Sequence, residues 1–110
     1  MALAANIFQT VTAVVSTSPT VVYTAPSGYS GVVLLAQVTN ISTTTSYDVS
    51  FTHRRSSTDT ELIKEYPISA KDSANLLTGK LVMEAGDKLV LSGSNGTNLK
   101  FVLSILETLN

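Results

Sequence analysis

Apolar and polar residues alternate with a period of two along most of the chain, the spacing of strands that bury one face. The cleanest run is Tyr47 to Arg54, where Tyr47, Val49, Phe51 and His53 point one way and Asp48, Ser50, Thr52 and Arg54 the other. Ile7 to Ser16 sets Ile7, Val11, Ala13 and Val15 against Thr10, Thr12 and Ser16, and its β-branched content argues for strand over helix. Thr20 to Thr24 is a short strand stopped by Ala25-Pro26-Ser27-Gly28, in which Pro26 presets φ for a turn and Gly28 lets it close. From Gly31 to Ile41, Val32, Leu34, Ala36 and Val38 share one face while Val33 and Leu35 occupy the other, so this strand is expected to be central or covered on both sides. Glu61 to Tyr66 reads as a strand ended by Pro67, and Ile68 to Leu77 as either one helical turn or an extended crossover.

The stretch Gly79 to Ser92 predicts a hairpin at the centre of the domain. Two short strands are joined there by a tight Glu84-Ala85-Gly86-Asp87 turn, with Gly86 supplying a positive φ and Asp87 an acceptor for nearby amides. Ser94-Asn95-Gly96-Thr97 carries the Asn-Gly pair that favours a two-residue primed turn. The final strand puts Leu99, Phe101, Leu103 and Ile105 on one face, and its length and apolar weight predict a central place beside the hairpin. About eight strands, with no helix long enough to build a crossover layer, predict an all-β fold: an antiparallel β-sandwich of jelly-roll-like or Ig-like type. Residues 1–8 are expected to form an N-terminal arm and residues 9–110 a single sandwich domain.

Composition narrows the functional classes. A chain of 110 residues fits one domain that buries roughly two-thirds of its unfolded surface. Cysteine is absent and His53 is the one histidine, which excludes disulfides, thiolate metal sites and a multi-histidine site within one chain. The net charge is -1 and no basic run exceeds Arg54-Arg55, so the footprint of a nucleic-acid binder is missing. No run of 18 apolar residues offers a transmembrane helix, and Met1 to Phe8, lacking Lys and Arg, does not read as an export signal; no membrane partner is expected.

Charge is also sparse. Charged residues make up 14% of the chain, against roughly 25% in an average soluble domain. Mean hydropathy is +0.26. The polar surface must therefore come from the 29 Ser and Thr residues. Solubility leans on charged side chains, so a chain this poor in them is expected to be built into an oligomer or a larger assembly.

No constellation reads as reactive. His53 has no Ser or Cys nucleophile motif near it and shares the Val49-Phe51 face, which makes it a packed or rim histidine. Asp48, Asp59, Glu61, Glu65, Asp72, Glu84, Asp87 and Glu107 read as scattered over turns and strand ends, and no Trp offers a platform for sugar. Asp87 beside Gly86 stabilises a turn more readily than it binds calcium, which needs a denser acidic loop. Asn40-Ile41-Ser42 and Asn95-Gly96-Thr97 match the N-glycosylation pattern, which arises easily in a Ser/Thr-rich chain. The expectation is a protein that is not an enzyme, with no catalytic, cofactor-binding or metal residues. Candidate contact residues are Leu3, Ile7 and Phe8 at one end and Leu106 and Leu109 at the other. Tyr29, at a turn tip, is a candidate exposed aromatic anchor, and Arg54 and Arg55 are either solvated or paired to a neighbouring subunit.

Four stretches together carry a resemblance: Val21 to Gly28, Val32 to Asn40, Gly79 to Asp87 and Val102 to Glu107. Their combination resembles small virion structural proteins of tailed phages, particularly those of marine cyanobacteria, over most of the chain from about Thr20 to Glu107. The resemblance implies a small β-sandwich present in many copies on a particle, with no cofactor and no reaction, and it transfers no site residues. Its partners would be other virion proteins, either the major capsid protein or neck and tail proteins. The leading expectation is a capsid decoration or cement protein, self-associating as a trimer or higher cyclic assembly. Alternatives are a neck, tail or fibre component, or a module binding host-surface glycans or receptors near Tyr29, Tyr47 or Tyr66.

Overall fold

The computed structural model describes residues 5–110, so Leu3 lies outside the described residues. Nine strands follow one another: β1 (Asn6–Val14), β2 (Thr20–Thr24), β3 (Tyr29–Asn40), β4 (Tyr47–Arg55), β5 (Thr58–Ile68), β6 (Ser73–Asn75), β7 (Leu81–Met83), β8 (Lys88–Gly93) and β9 (Leu99–Leu109). Every pairing is antiparallel. One sheet, A, runs β1-β9-β3-β6 with β7 also on β3; the other, B, runs β2-β8-β4-β5. The expected antiparallel sandwich is therefore what the chain forms. If β6 and β7 are counted as one interrupted strand, successive strands switch sheets everywhere except at β4 and β5, and this is the strand order of a jelly roll.

That order corrects the predicted central hairpin. β7 pairs with β3 in sheet A while β8 lies between β2 and β4 in sheet B, so Glu84 to Asp87 turns a corner between sheets. The turn itself has the expected chemistry: Gly86 has φ 88° and the Asp87 amide donates to the Glu84 carbonyl at 3.0 Å. Asn95-Gly96 likewise joins strands of opposite sheets, and Gly96 is not among the positive-φ residues that a primed turn requires. Asn95 Oδ1 instead accepts from the amides of Thr97 and Asn98 at 2.9 and 2.7 Å. The tight turn of a true hairpin is at Ser56-Ser57 between β4 and β5, where Ser56 takes φ 55°. Ile68 to Leu77, left open between a helical turn and an extended crossover, is extended and includes β6. Pro67 lies within β5 and does not end it; β5 is an edge strand, where a missing amide costs nothing.

The two inner faces meet in one core. β4 contributes Val49 and Phe51, β8 Leu89 and Leu91, and β9 Leu99, Phe101, Leu103 and Ile105, all buried. Phe51 and Phe101 pack across the sheets with ring centroids 5.8 Å apart. The last strand is central, as expected, but β9 lies between β1 and β3 and pairs with neither β7 nor β8, the strands of the expected hairpin. The faces of β3 differ from those expected, because a bulge between Val33 and Leu35 breaks the alternation. Tyr29, Gly31, Val33, Ala36 and Val38 are buried, whereas Leu34 and Leu35 are both exposed. β1 begins at Asn6 and pairs with β9 along its whole length, so Asn6, Ile7 and Phe8 belong to the sandwich and not to an arm.

Candidate assembly face

The outer face of sheet A is built by register. Phe8 pairs with Leu106, Leu106 with Val32, and Val32 with Val82, so one apolar row crosses the whole sheet on a single face. Phe8 is 75% exposed and Val82 62%, the two ends of the row. The next rung sets Thr10 beside Ser104 and Leu35, and the bulged Leu34 lines a depression of about 260 Å³ with Phe8, Thr10 and Ser104. Further along, Thr12, Val14, Thr39, Lys100 and Val102 line a second depression of about 520 Å³.

Charge is sparse on this face. Across β1, β3, β6, β7 and β9 the charged residues are Lys100 and Glu107, and Glu107 turns inward and is buried. Sheet B carries Asp48, Arg54, Arg55, Asp59, Glu61, Lys64, Glu65 and Lys88 in its strands. A contiguous apolar row on a charge-poor sheet is the kind of surface that marks an interaction site.

Two polar clusters close the end of the sandwich that holds the β2–β3, β4–β5 and β7–β8 connections. In the first, Asp87 accepts from Arg55 Nε at 2.9 Å and Nη2 at 2.7 Å, and from the Glu84 amide at 2.9 Å. His53 Nε2 lies 3.0 Å from the same carboxylate. The Arg55 hydrogen bonds above all, then the Glu84 amide and His53, hold Asp87 far below the usual carboxylate range, against the opposing effect of its burial. With its oxygens thus occupied the carboxylate pins the β4 terminus to the β7–β8 corner. In the second cluster, Glu107 accepts from Gln9 Nε2 at 2.6 Å and from the Tyr23 hydroxyl, tying sheet A to sheet B. Burial, then the hydrogen bond to Glu107, pushes the Tyr23 hydroxyl pKa well above its ordinary value.

Ser56, Thr58 and Thr60 line the shallow groove beside His53 and Arg55, and no hydrogen bond joins them to His53 among the described residues. No group of three or more His, Cys, Asp or Glu able to hold a metal occurs among the described residues. At the opposite end, buried Asn40 donates to the carbonyls of Thr45 and Ile68, both at 2.9 Å, and accepts from the Ser42 amide at 3.0 Å. This side chain is a latch for the loops and is closed to glycosylation in the folded protein.

The candidate contact residues are divided by the fold. Phe8 and Leu106 are neighbours on the apolar row, and Leu109 is exposed at the end of the same strand as Leu106. Ile7 is half-buried opposite Glu107. Tyr29 is 7% exposed and cannot be the expected surface anchor, because it shares the inward parity of Gly31 and Val33. Arg54 pairs with Asp59 at 2.6 Å across the β4–β5 hairpin, and Arg55 with Asp87 and, at 3.2 Å, Glu84; both guanidiniums are engaged inside the chain. Tyr47 and Tyr66 lie at the far end of the sandwich from Tyr29, so the three tyrosines form no common site. Val32, Leu34, Leu35 and Val82 were missed: only the pairing register shows that they join Phe8 and Leu106. No known protein-family model, curated protein or solved structure matches this chain.

Proposed function

We propose that the chain is a structural subunit of a phage virion, a capsid decoration protein that seats the outer face of sheet A on the particle. The observation that carries this reading is the row Phe8-Leu106-Val32-Val82 on a face whose strands carry one charged side chain, Lys100, with Lys80 beside Leu34 and Leu35 just ahead of β7. A broad sheet face this poor in charge suits a docking surface equally poor in charge, and many copies holding weakly reach high avidity together. The assignment to a virion is supported by the resemblance of the four sequence stretches. The jelly roll alone does not choose, since the same architecture serves capsids, lectins and enzymes. Neck, tail or fibre positions are the alternatives.

The test is the protein content of purified particles, followed by imaging of tagged chain on them. The expected result is many copies over the capsid, retained at 1 M salt because apolar contacts are not screened. Absence from purified particles overturns the reading. Copies confined to the neck or tail move the attachment site but keep the structural role.

A further inference from the structure

The two sheets have four outer edges, and three are protected against pairing with another strand. β2 has five residues, flanked by Pro19 and Pro26, with a register break between Val21 and Tyr23. β5 carries Asp59, Glu61, Lys64, Glu65 and Pro67, is bulged twice against β4, and holds Glu65 at φ 49°. The third edge is split into β6 and β7, three residues each. Short strands, charges, proline and bulges are the devices by which sheets avoid edge-to-edge association.

β1 has none of them. Its nine residues, Asn6-Ile7-Phe8-Gln9-Thr10-Val11-Thr12-Ala13-Val14, include no charge, proline or glycine. They pair with β9 without a register break and, among the described residues, with no other strand. An edge left open over this length is suited to receive a strand.

We propose that β1 pairs antiparallel with β1 of a second copy about a two-fold axis, doubling sheet A, which is four strands wide. Equal length argues for this partner. A head-to-tail ring would have to match the nine residues of β1 to the interrupted β6 and β7 edge, three residues at a time. This proposal differs from the trimer or higher cyclic assembly expected of a decoration protein. Full overlap of Asn6–Val14 with itself places Thr10 opposite Thr10 of the partner subunit, and the outer faces of the two sheets then lie on the same side. The two apolar rows, each ending at Phe8 on the edge, become parts of one surface. The proposal rests on the edge and not on the particle, so it stands if the virion assignment fails.

The test is a charge swap in trans, read by light scattering at micromolar concentration. Wild type is expected to be a dimer. Thr10→Lys sets like charges directly across the new ladder, as does Thr10→Glu, and each alone is expected to raise the dissociation constant up to about fivefold. An equal mixture of the two is expected to restore the dimer as a heterodimer. The chain lacks cysteine, so single-cysteine variants give a second measure. Thr10→Cys is expected to form a disulfide-linked dimer under mild oxidation. Thr12→Cys is not, because its two copies lie four residues apart along the ladder, roughly 13 Å and beyond disulfide reach. A monomeric wild type, a mixture that fails to pair, or equal crosslinking through both cysteines would overturn the proposal.

Discussion

Gly93 lies where the end of β8 meets the chain leaving β1, and its missing side chain is filled by others. A Cβ built there would meet Leu99 Cδ1 at 2.8 Å, Val15 Cγ1 at 2.9 Å and the Asp48 carbonyl oxygen at 3.0 Å. None of the three has room to yield. Leu99 and Val15 are fully buried, and the Asp48 oxygen is held by the Ser94 amide at 2.9 Å. Gly93 itself is tied down, its amide donating to the Ser16 carbonyl at 3.0 Å. Its φ is not in the left-handed region, so Gly93→Ala carries no backbone strain, and its steric cost is offset only in part by an unfolded-state gain of about 0.4–1 kcal/mol. Overpacking of a filled core costs about 1–3 kcal/mol, and three rigid contacts place this case at about 2–3 kcal/mol. For a chain of this size that lowers Tm by about 8–12 °C. Gly96 is the control, because a Cβ there meets only Thr17 Cγ2 at 3.9 Å. Gly96→Ala is expected to stabilise by about 0.4–1 kcal/mol through the unfolded state. Urea denaturation followed by far-UV circular dichroism measures both. A Gly93→Ala variant within about 0.5 kcal/mol of wild type, or equal losses at the two sites, would show that the end of the core is not packed as described.

The remaining predictions address charge and the assembly face. Because Asp87 has a folded pKa below its unfolded value of about 4, its stabilisation is present above that pH and lost as pH falls further; Tm should drop steeply below pH 4 in wild type and less in Asp87→Asn. Tyr23→Phe should cost about 1–3 kcal/mol by depriving buried Glu107 of a donor, and Glu107→Leu in that background should cost less than in wild type, as a double-mutant cycle in urea would read. Phe8→Ser and Val82→Ser remove exposed side chains, so each should leave the monomer's stability within about 0.5 kcal/mol while abolishing retention on particles; a matching loss of stability in both measurements would make them structural residues instead.

Local pattern exposed the strands and hid their partners. The alternation of Tyr47 to Arg54 and the limits of Thr20 to Thr24 reappear in β4 and β2, because period-two burial is a property of one strand. Sheet membership is not. Met83 and Leu89 both bury toward the core whether their strands form a hairpin or a corner, so the Gly86 turn satisfied every local criterion for the wrong connection. The single extra residue Leu34 reversed the faces of half a strand, and nothing in Val32 to Leu35 announces a bulge. Glu107 stands among the scattered carboxylates in the sequence reading, yet it continues the inward series Leu99, Phe101, Leu103, Ile105, and a carboxylate there demands partners. The apolar row was not legible, since its four members come from four strands and meet only through register.

The position of β9 also governs how the protein is made. Sheet A has β1 on one side and β3 on the other of a strand that is translated after both, so on the ribosome those two strands wait with facing edges unpaired. Sheet A therefore closes only after Leu99 to Leu109 leaves the exit tunnel, and until then the nascent chain offers two open edges to its neighbours. Expression at low temperature or with holdase chaperones should raise the soluble yield, and a stop codon ahead of Leu99 should send the product to inclusion bodies.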